Sequence, residues 1–548
     1  MSEVTERGPD GEANVIDTDY EIGQHNVQPQ IGPFGMDIHN PVFAISAGGI
    51  MLLVFYALAL PTEAGEFFGW LRPTLTSSFD WFFLAAGNIF VLLTLALIVS
   101  PLGKIRLGGT EAKPDYSYAG WFSMLFAAGM GIGLMFYGVS EPISHFSSSL
   151  AEGAGSPESW APLAGAAGDP AEAHRLGMAA TIFHWGLHPW AIYAVVALSL
   201  ALFSYNKGLP LSIRSIFYPI FGERVWGWTG HAIDTLAVFA TLFGLATSLG
   251  IGAEQAIAGL NFLFDIPVNN TSKVVLISGI TGLALISVVA GLDAGVKRLS
   301  EINMVLAILL LGFVIIVGPT LAIATGFFSN LLAYVEYLPA LSNPFGRSDA
   351  NFSQGWTSFY WAWWISWSPF VGMFIARVSR GRTVREFITC VLIIPSLVCV
   401  LWMTTFGGTA VHMVTEGVSA IAEAGLPVKL FAMLEQLPLH SITSFMGIIL
   451  VIVFFVTSSD SGSLVIDTIT AGGKVDAPVP QRVFWCTFEG LVAIALLLGG
   501  GLGSLQAMAV STGFPFAIVL LLACYSIIQG LRTEPKAVGA NAEATNKD

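Results

Sequence analysis

The sequence predicts an all-α integral membrane protein of twelve transmembrane helices, in which spans 3 to 7 recur in inverted orientation as spans 8 to 12 and two helices precede them. Three observations lead there. The 548 residues are 54% hydrophobic and only 11% charged, with mean hydropathy +0.71. Apolar runs of about 20 residues, the length that crosses a bilayer, recur along the chain. Basic residues collect in alternate loops, as the positive-inside rule requires of an even number of crossings.

The elements follow in order. Residues 1–40 are polar and acidic (Glu3, Glu6, Asp10, Glu12, Asp17, Asp19 and Glu21 against Arg7) and lack the basic start and short apolar core of a signal peptide, so they read as a mobile cytoplasmic tail. The twelve-helix domain fills 41–530, with spans at 41–60, 79–100, 117–138, 176–204, 229–265, 273–292, 302–328, 353–377, 386–407, 442–459, 481–500 and 505–530. Residues 531–548 form a short, charge-balanced cytoplasmic tail (Arg532, Lys536 and Lys547 against Glu534, Glu543 and Asp548). With both termini inside the cell membrane, only Arg72, Arg175, Lys273, Arg347 and Lys429 of the 23 basic residues fall outside, and an odd helix count destroys this asymmetry.

The fifth span is too long for a bilayer unless it tilts or bends, and Gly244, Gly250 and Gly252 offer places to bend. LLAYVEYLPAL (331–341) reads as a short outer interfacial helix. The net charge of -14 gives no reason to expect nucleic acid. Cys390, Cys399, Cys486 and Cys524 lie in apolar runs without metal-ligand spacing and read as reduced packing residues.

Two spans carry breakers. The third contains Gly129, Gly131 and Gly133 at every second position; each glycine costs a helix about 1 kcal/mol relative to alanine, which favours an unwound stretch beside a cavity. In the eighth, five helices later, Pro369 and Gly372 interrupt the run. Interruptions at matching positions of two halves point to an inverted-repeat transporter with its substrate at the midplane.

The eighth span also holds WAWWISW (Trp361 to Trp367). Indoles normally gather at the membrane surface, so four in mid-span need another reason. An indole face is the strongest neutral attractant for a cation and suits quaternary ammonium groups, which offer no N–H, so a methylated amine is the first expectation. Trp363 and Trp367 stand one turn apart, and Trp190 and Tyr193 are neighbours of the same kind on the fourth span.

GMGIGLMFYGVSEP (129–142), FYWAWWISWSPFVGMFIARVSRGRTVREFI (359–388) and FFVTSSDSGSLV (454–465) together resemble the betaine/carnitine/choline transporter family, and the likeness runs through nearly all of 40–530. The resemblance implies a LeuT-like fold, twelve spans and a homotrimer. It also implies an aromatic box of Trp185, Trp190 and Tyr193 facing Trp363, Trp364 and Trp367, with Trp361 outside it and Phe374 as a neighbour. Met130, Gly129, Gly131 and Gly133 complete the substrate-binding set. Betaine-type members keep glycine where some choline and carnitine carriers have an acidic residue, so Gly131 and Gly133 favour a zwitterion that brings its own carboxylate.

The family's main sodium site corresponds to carbonyls of Ala127 and Met130 on the third span and to Phe454, Thr457 and Ser458 on the tenth. A second site corresponds to Thr241 and Phe370, but Leu245 brings no oxygen there. Sodium is thus expected as the coupling ion, with no organic cofactor and no catalytic residues. Arg377, Arg380, Arg382 and Arg385 follow the eighth span as orientation signals, with a gate or contact to anionic lipid as the sharper alternative.

The reading is a secondary transporter importing glycine betaine, or a trimethylammonium or dimethylsulfonio relative, by sodium symport through alternating access. Its alternative is a proton-coupled choline carrier or a sodium-independent carnitine/betaine antiporter, for which Glu254 and Asp460 are intramembrane carboxylates of note. An enzyme needs a convergent nucleophile, metal cluster or acid–base pair; neither HExxH nor GxSxG occurs, and His184 and His188 read as satisfied core residues.

Overall fold

The computed structural model describes residues 8–31, 34–129, 131–151, 156–290 and 296–535. Two helices, α1 (Asn40–Ala59) and α2 (Pro61–Val99), come first. Phe79 inside α2 has non-helical φ and ψ of -130° and 15°, so the crossing half begins at this kink, and the stretch before it exposes Phe67 and Trp70.

The third span is two helices, α3 (Tyr118–Gly129) and α4 (Ile132–Leu150), meeting at 63°. Met130 lies outside the described residues. The fourth span, expected as one helix over 176–204, is also divided, into α5 (Pro170–Trp185) and α6 (Leu187–Ala201). Pro189 supplies the reason: it has no N–H for the Trp185 carbonyl and its ring crowds that carbonyl, while Gly186 takes the non-helical φ and ψ of -95° and -123°.

There follow α7 (Trp228–Phe264), α8 (Asn270–Ala290), α9 (Val296–Val317), α10 (Thr320–Leu341), α11 (Ser358–Val378), α12 (Val384–Met403), α13 (His440–Thr470), α14 (Val479–Leu498) and α15 (Leu502–Arg532). Eleven described segments are long and apolar enough to cross a membrane, with α5 and α6 taken as one, or twelve when α3 and α4 also count as one span; α10 is among them with the lowest hydropathy, 1.3, and the Trp-rich α11 is not.

Three boundaries differ from expectation. The seventh span stops at Val317 rather than at 328, because Gly318 and Pro319 end it, and the amphipathic segment after them starts at Thr320 rather than at 331. In α7 the glycines do not break the helix, which runs continuously over 37 residues; they admit neighbours, Gly244 to Ser366 and Trp367, Gly250 to Leu505, Gly252 to Ile132. The eighth span is not interrupted at Pro369. α11 continues through it because the Ile365 carbonyl, deprived of the proline N–H, accepts the Ser368 hydroxyl at 2.7 Å, and Gly372 lets Val196 of α6 approach closely.

The repeat is visible in which helices touch. Adding five to each span number turns α6 against α11 into α12 against α3, α7 against α15 into α13 against α9, and α7 against α14 into α13 against α8, and all six pairings occur. The pairs α7–α13 and α8–α14 map onto themselves. In a chain that alternates direction, a shift by an odd number of spans reverses orientation, so the two halves are inverted copies.

One face gathers the segments read as cytoplasmic. The described residues of 8–39 make contacts with it: Asp10 pairs with Arg380, the Ile16 N–H donates to the Lys207 carbonyl at 3.0 Å, Tyr20 stacks on Trp226, and Asp37 pairs with Lys474. Burial favours the neutral acid of Asp37, but hydrogen bonds from Lys474 and Asn26 outweigh it and hold the carboxyl below its usual range. The four cysteines are all free thiols.

Candidate substrate and ion site

The breaks in spans three and four bring a helix end and two short aromatic stretches to one place. Gly131 is extended (φ -172°, ψ -177°) ahead of α4, whose first N–H groups therefore have no helical partner and carry the partial positive charge of a helix start. A Cβ built on Gly131 meets nothing within 4 Å, so that backbone faces open space. Gly133 is different: a Cβ there comes within 2.6 Å of the Trp185 ring and 3.0 Å of the Trp363 ring, so only glycine lets both indoles close on the helix start.

A cavity of about 490 Å³ lies here, and Trp185, Trp190, Tyr193, Trp363, Trp364 and Trp367 all line it, with Gly129, Gly131 and Gly133. Tyr193 stands perpendicular to both Trp190 (5.3 Å) and Trp364 (6.1 Å), and Trp185 is perpendicular to Trp364 at 4.9 Å. Edge-to-face contacts of this kind fix ring orientation, whereas Trp363 and Trp364 stack on each other at 4.8 Å. Three indole N–H groups are anchored: Trp185 to Glu141 (2.7 Å), Trp364 to the His184 carbonyl (2.8 Å), Trp367 to the Gly244 carbonyl and the Ser248 hydroxyl (both 2.9 Å), the last of these itself lining the cavity. Trp361 does not line the cavity; it stacks on His188 at 5.3 Å on the opposite side of α11.

Ala127, Phe454, Thr457 and Ser458 line the same cavity. The Thr457 hydroxyl donates to the Val453 carbonyl at 3.0 Å, which turns its lone pairs outward, as a cation ligand needs. Phe370 also lines the cavity, edge-on to Trp367. Thr241 does not: it is fully buried and donates to the Ala237 carbonyl at 2.7 Å, while Leu245 packs on Gly462. Of the residues expected for a second sodium site, Phe370 thus lines the cavity and Thr241 does not.

Sequence reasoning missed the anchor of the box. Glu141, inside the quoted GVSEP stretch, is completely buried and accepts from four partners: Oε1 faces His184 Nδ1 (2.6 Å) and His145 Nε2 (3.1 Å), and Oε2 takes the Trp185 indole and the Tyr360 hydroxyl. Its signal was obscured because it stands three residues past the expected end of the third span at 138, although the helix runs on to Leu150; a buried acid there persists only when paired. The carboxylate and the two imidazoles come within 4.8 Å of one another, a metal-like spacing, but both carboxylate oxygens are already occupied by donors. His184 further contacts the Thr357 hydroxyl at 3.0 Å, and His188 contacts Asn88 at 3.0 Å.

The other carboxylates considered for proton relay lie off the cavity: Glu254 pairs with Lys273, and Asp460 accepts from Ser287. Among the inner arginines, Arg380 and Arg382 are buried against Asp10 and Glu386, which removes them from lipid; Arg385 is exposed, and Arg377 lines the cavity.

Residues 41–536 match the profile of the family described as betaine/carnitine/choline family transporters. A glycine betaine/proline/choline transporter of Vibrio parahaemolyticus is 68% identical over 544 residues, 98% of each chain. A glycine betaine transporter of the same organism is 56% identical over 95% of this chain and 98% of its own. A glycine betaine transporter of Bacillus subtilis is 42% identical over 88% of this chain and 95% of its own.

Proposed function

We propose, from the premise that this chain belongs to the betaine/carnitine/choline transporter family, that it imports glycine betaine or a close trimethylammonium or dimethylsulfonio osmolyte together with sodium. The observation that carries the reading is that six aromatic rings, three of them indoles held by their N–H groups, line one cavity beside an unpartnered helix start. The rings suit the methylated head, each contributing about 0.5–2 kcal/mol to a desolvated cation. The first N–H groups of α4 suit the carboxylate. No fixed anion is needed, because the substrate supplies its own.

Sodium binds through carbonyls of Ala127 and Phe454 and the hydroxyls of Thr457 and Ser458, with the Met130 carbonyl as a further ligand in this reading. The placement of Thr241 favours a single ion at this site over two. Each net positive charge entering gains about 2.3 kcal/mol per 100 mV before the sodium gradient is added, so one ion already supports accumulation. The inverted halves supply the rocking pair that alternating access requires. The cavity reaches Tyr116, which is 42% exposed on the inner face, as an inward-facing form does. Both termini are cytoplasmic in this reading, and the assembly is a homotrimer.

The names of the relatives include proline and choline, which supports a substrate range wider than betaine. The test is uptake of labelled betaine, choline and proline into proteoliposomes with an inward sodium or potassium gradient. Sodium-driven betaine accumulation is expected; sodium-independent exchange contradicts the reading.

A further inference from the structure

The cavity does not end at the aromatic box. It continues along α11 to Arg377, ten residues and about 15 Å of helix rise beyond Trp367, where Asn303 of α9 also lines it. Arg377 differs from the three arginines that follow it. Arg380 pairs with Asp10, Arg382 with Glu386, and Arg385 donates to the Ile98 and Ser100 carbonyls. Arg377 Nε and Nη2 are shielded from solvent and have no hydrogen-bond partner, and among the described residues no carboxylate lies within ion-pair distance. Asn303, 3% exposed, has an unpartnered side-chain oxygen in the same cavity.

A half-buried guanidinium whose Nε and Nη2 are shielded and unpartnered is retained against its cost only if something else supplies the anion. Its planar fork matches a carboxylate. The geometry points to a second substrate subsite at Arg377, on the inner side of the box, that takes the carboxylate of the zwitterion as it leaves for the cytoplasm. This rests on the betaine reading and deepens it. The subsite also discriminates: a methylated cation without a carboxylate meets only like charge there.

The experiment compares wild type, Arg377→Gln and Arg377→Lys in proteoliposomes of known orientation, measuring KM for betaine and for choline from each face. The Gln variant is expected to raise the inner-face KM for betaine at least fivefold, to leave its outer-face KM within twofold, and to leave or lower the inner-face KM for choline; Lys restores most of the betaine value. The unchanged outer-face KM also reports an intact box and fold. An unchanged inner-face betaine KM, or an equal shift for betaine and choline, overturns the subsite while wild-type betaine transport keeps the functional reading standing. A wild-type inner KM that depends on chloride, with the dependence lost in Arg377→Gln, assigns the guanidinium to a free inorganic anion and overturns it too. Absence of betaine transport by wild type at either face fails the functional reading itself.

Discussion

Trp185 and Glu141 are joined across α5 and α4 by a 2.7 Å hydrogen bond from the indole N–H to a carboxylate with no exposure to solvent. Tyr360 of α11 donates to the same oxygen, so one carboxylate ties three helices together behind the box.

Replacing Glu141 should therefore act on substrate affinity through ring placement. Glu141→Gln keeps the volume but offers an amide N–H₂ or a weaker acceptor to Trp185 and Tyr360, and betaine affinity should fall about tenfold with the fold retained. Glu141→Ala leaves four donors without an acceptor and should destabilise by about 3–5 kcal/mol. Isothermal binding and thermal unfolding of the purified protein separate the two effects; full affinity in the Gln variant removes Glu141 from the site's support.

Gly131 offers a test of charge selection. Its extended backbone suits any residue, and a side chain there enters open space. Gly131→Asp should raise choline affinity about tenfold and lower betaine affinity, read by competition against labelled substrate. Gly133→Ala should instead weaken both, since its Cβ collides with Trp185 and Trp363.

For the ion, Thr457→Ala and Ser458→Ala should each raise the sodium concentration for half-maximal betaine uptake about tenfold. Thr241→Ala should leave it unchanged, because that hydroxyl lies off the cavity. Sodium titration of initial rates checks both statements, and an equal effect at all three positions contradicts the single-ion reading.

Acid should loosen the packed N-terminal segment. His39 contacts His231 (3.1 Å) and Asn26 (3.3 Å), and Arg214, itself paired with Asp234, faces the same cluster. Burial first, then Arg214 and His231, pull the His39 imidazole down to about 3 from 6.5. Its folded pKa lies below the unfolded one, so the neutral form's stabilisation is present above pH 6.5 and is lost as pH falls from 6.5 towards 3, at roughly 1.4 kcal/mol per unit. Limited proteolysis within residues 8–39 should accelerate between pH 7 and pH 5, and His39→Gln should flatten that dependence.

The tryptophan cluster of the eighth span was legible because tryptophans in mid-membrane are unusual, while its facing partners Trp185, Trp190 and Tyr193 came from the family resemblance; the glycine run was legible because it costs a helix so much. What stayed hidden depended on partners far away in sequence. Pro369 looks like a breaker until Ser368 is seen to supply the missing hydrogen bond, and Pro189 was overlooked although it breaks α5 from α6. Glu141 could not be given a role before Trp185 and Tyr360 were placed beside it. The acidic tail reads as disordered by composition alone, yet Arg380, Lys207 and Lys474 contact its described residues Asp10, Ile16 and Asp37.

The central claim is that these rings bind the methylated head through their π faces. It is tested most directly by placing mono-, di- and trifluorotryptophan at 367, at 190 and, as a control, at 361, and titrating betaine in sodium. Successive fluorines drain the face of negative charge without changing shape, so the logarithm of Kd should rise stepwise at 367 and 190, by up to about 30-fold in Kd overall, and stay flat at 361. A flat series at both 367 and 190 contradicts the account.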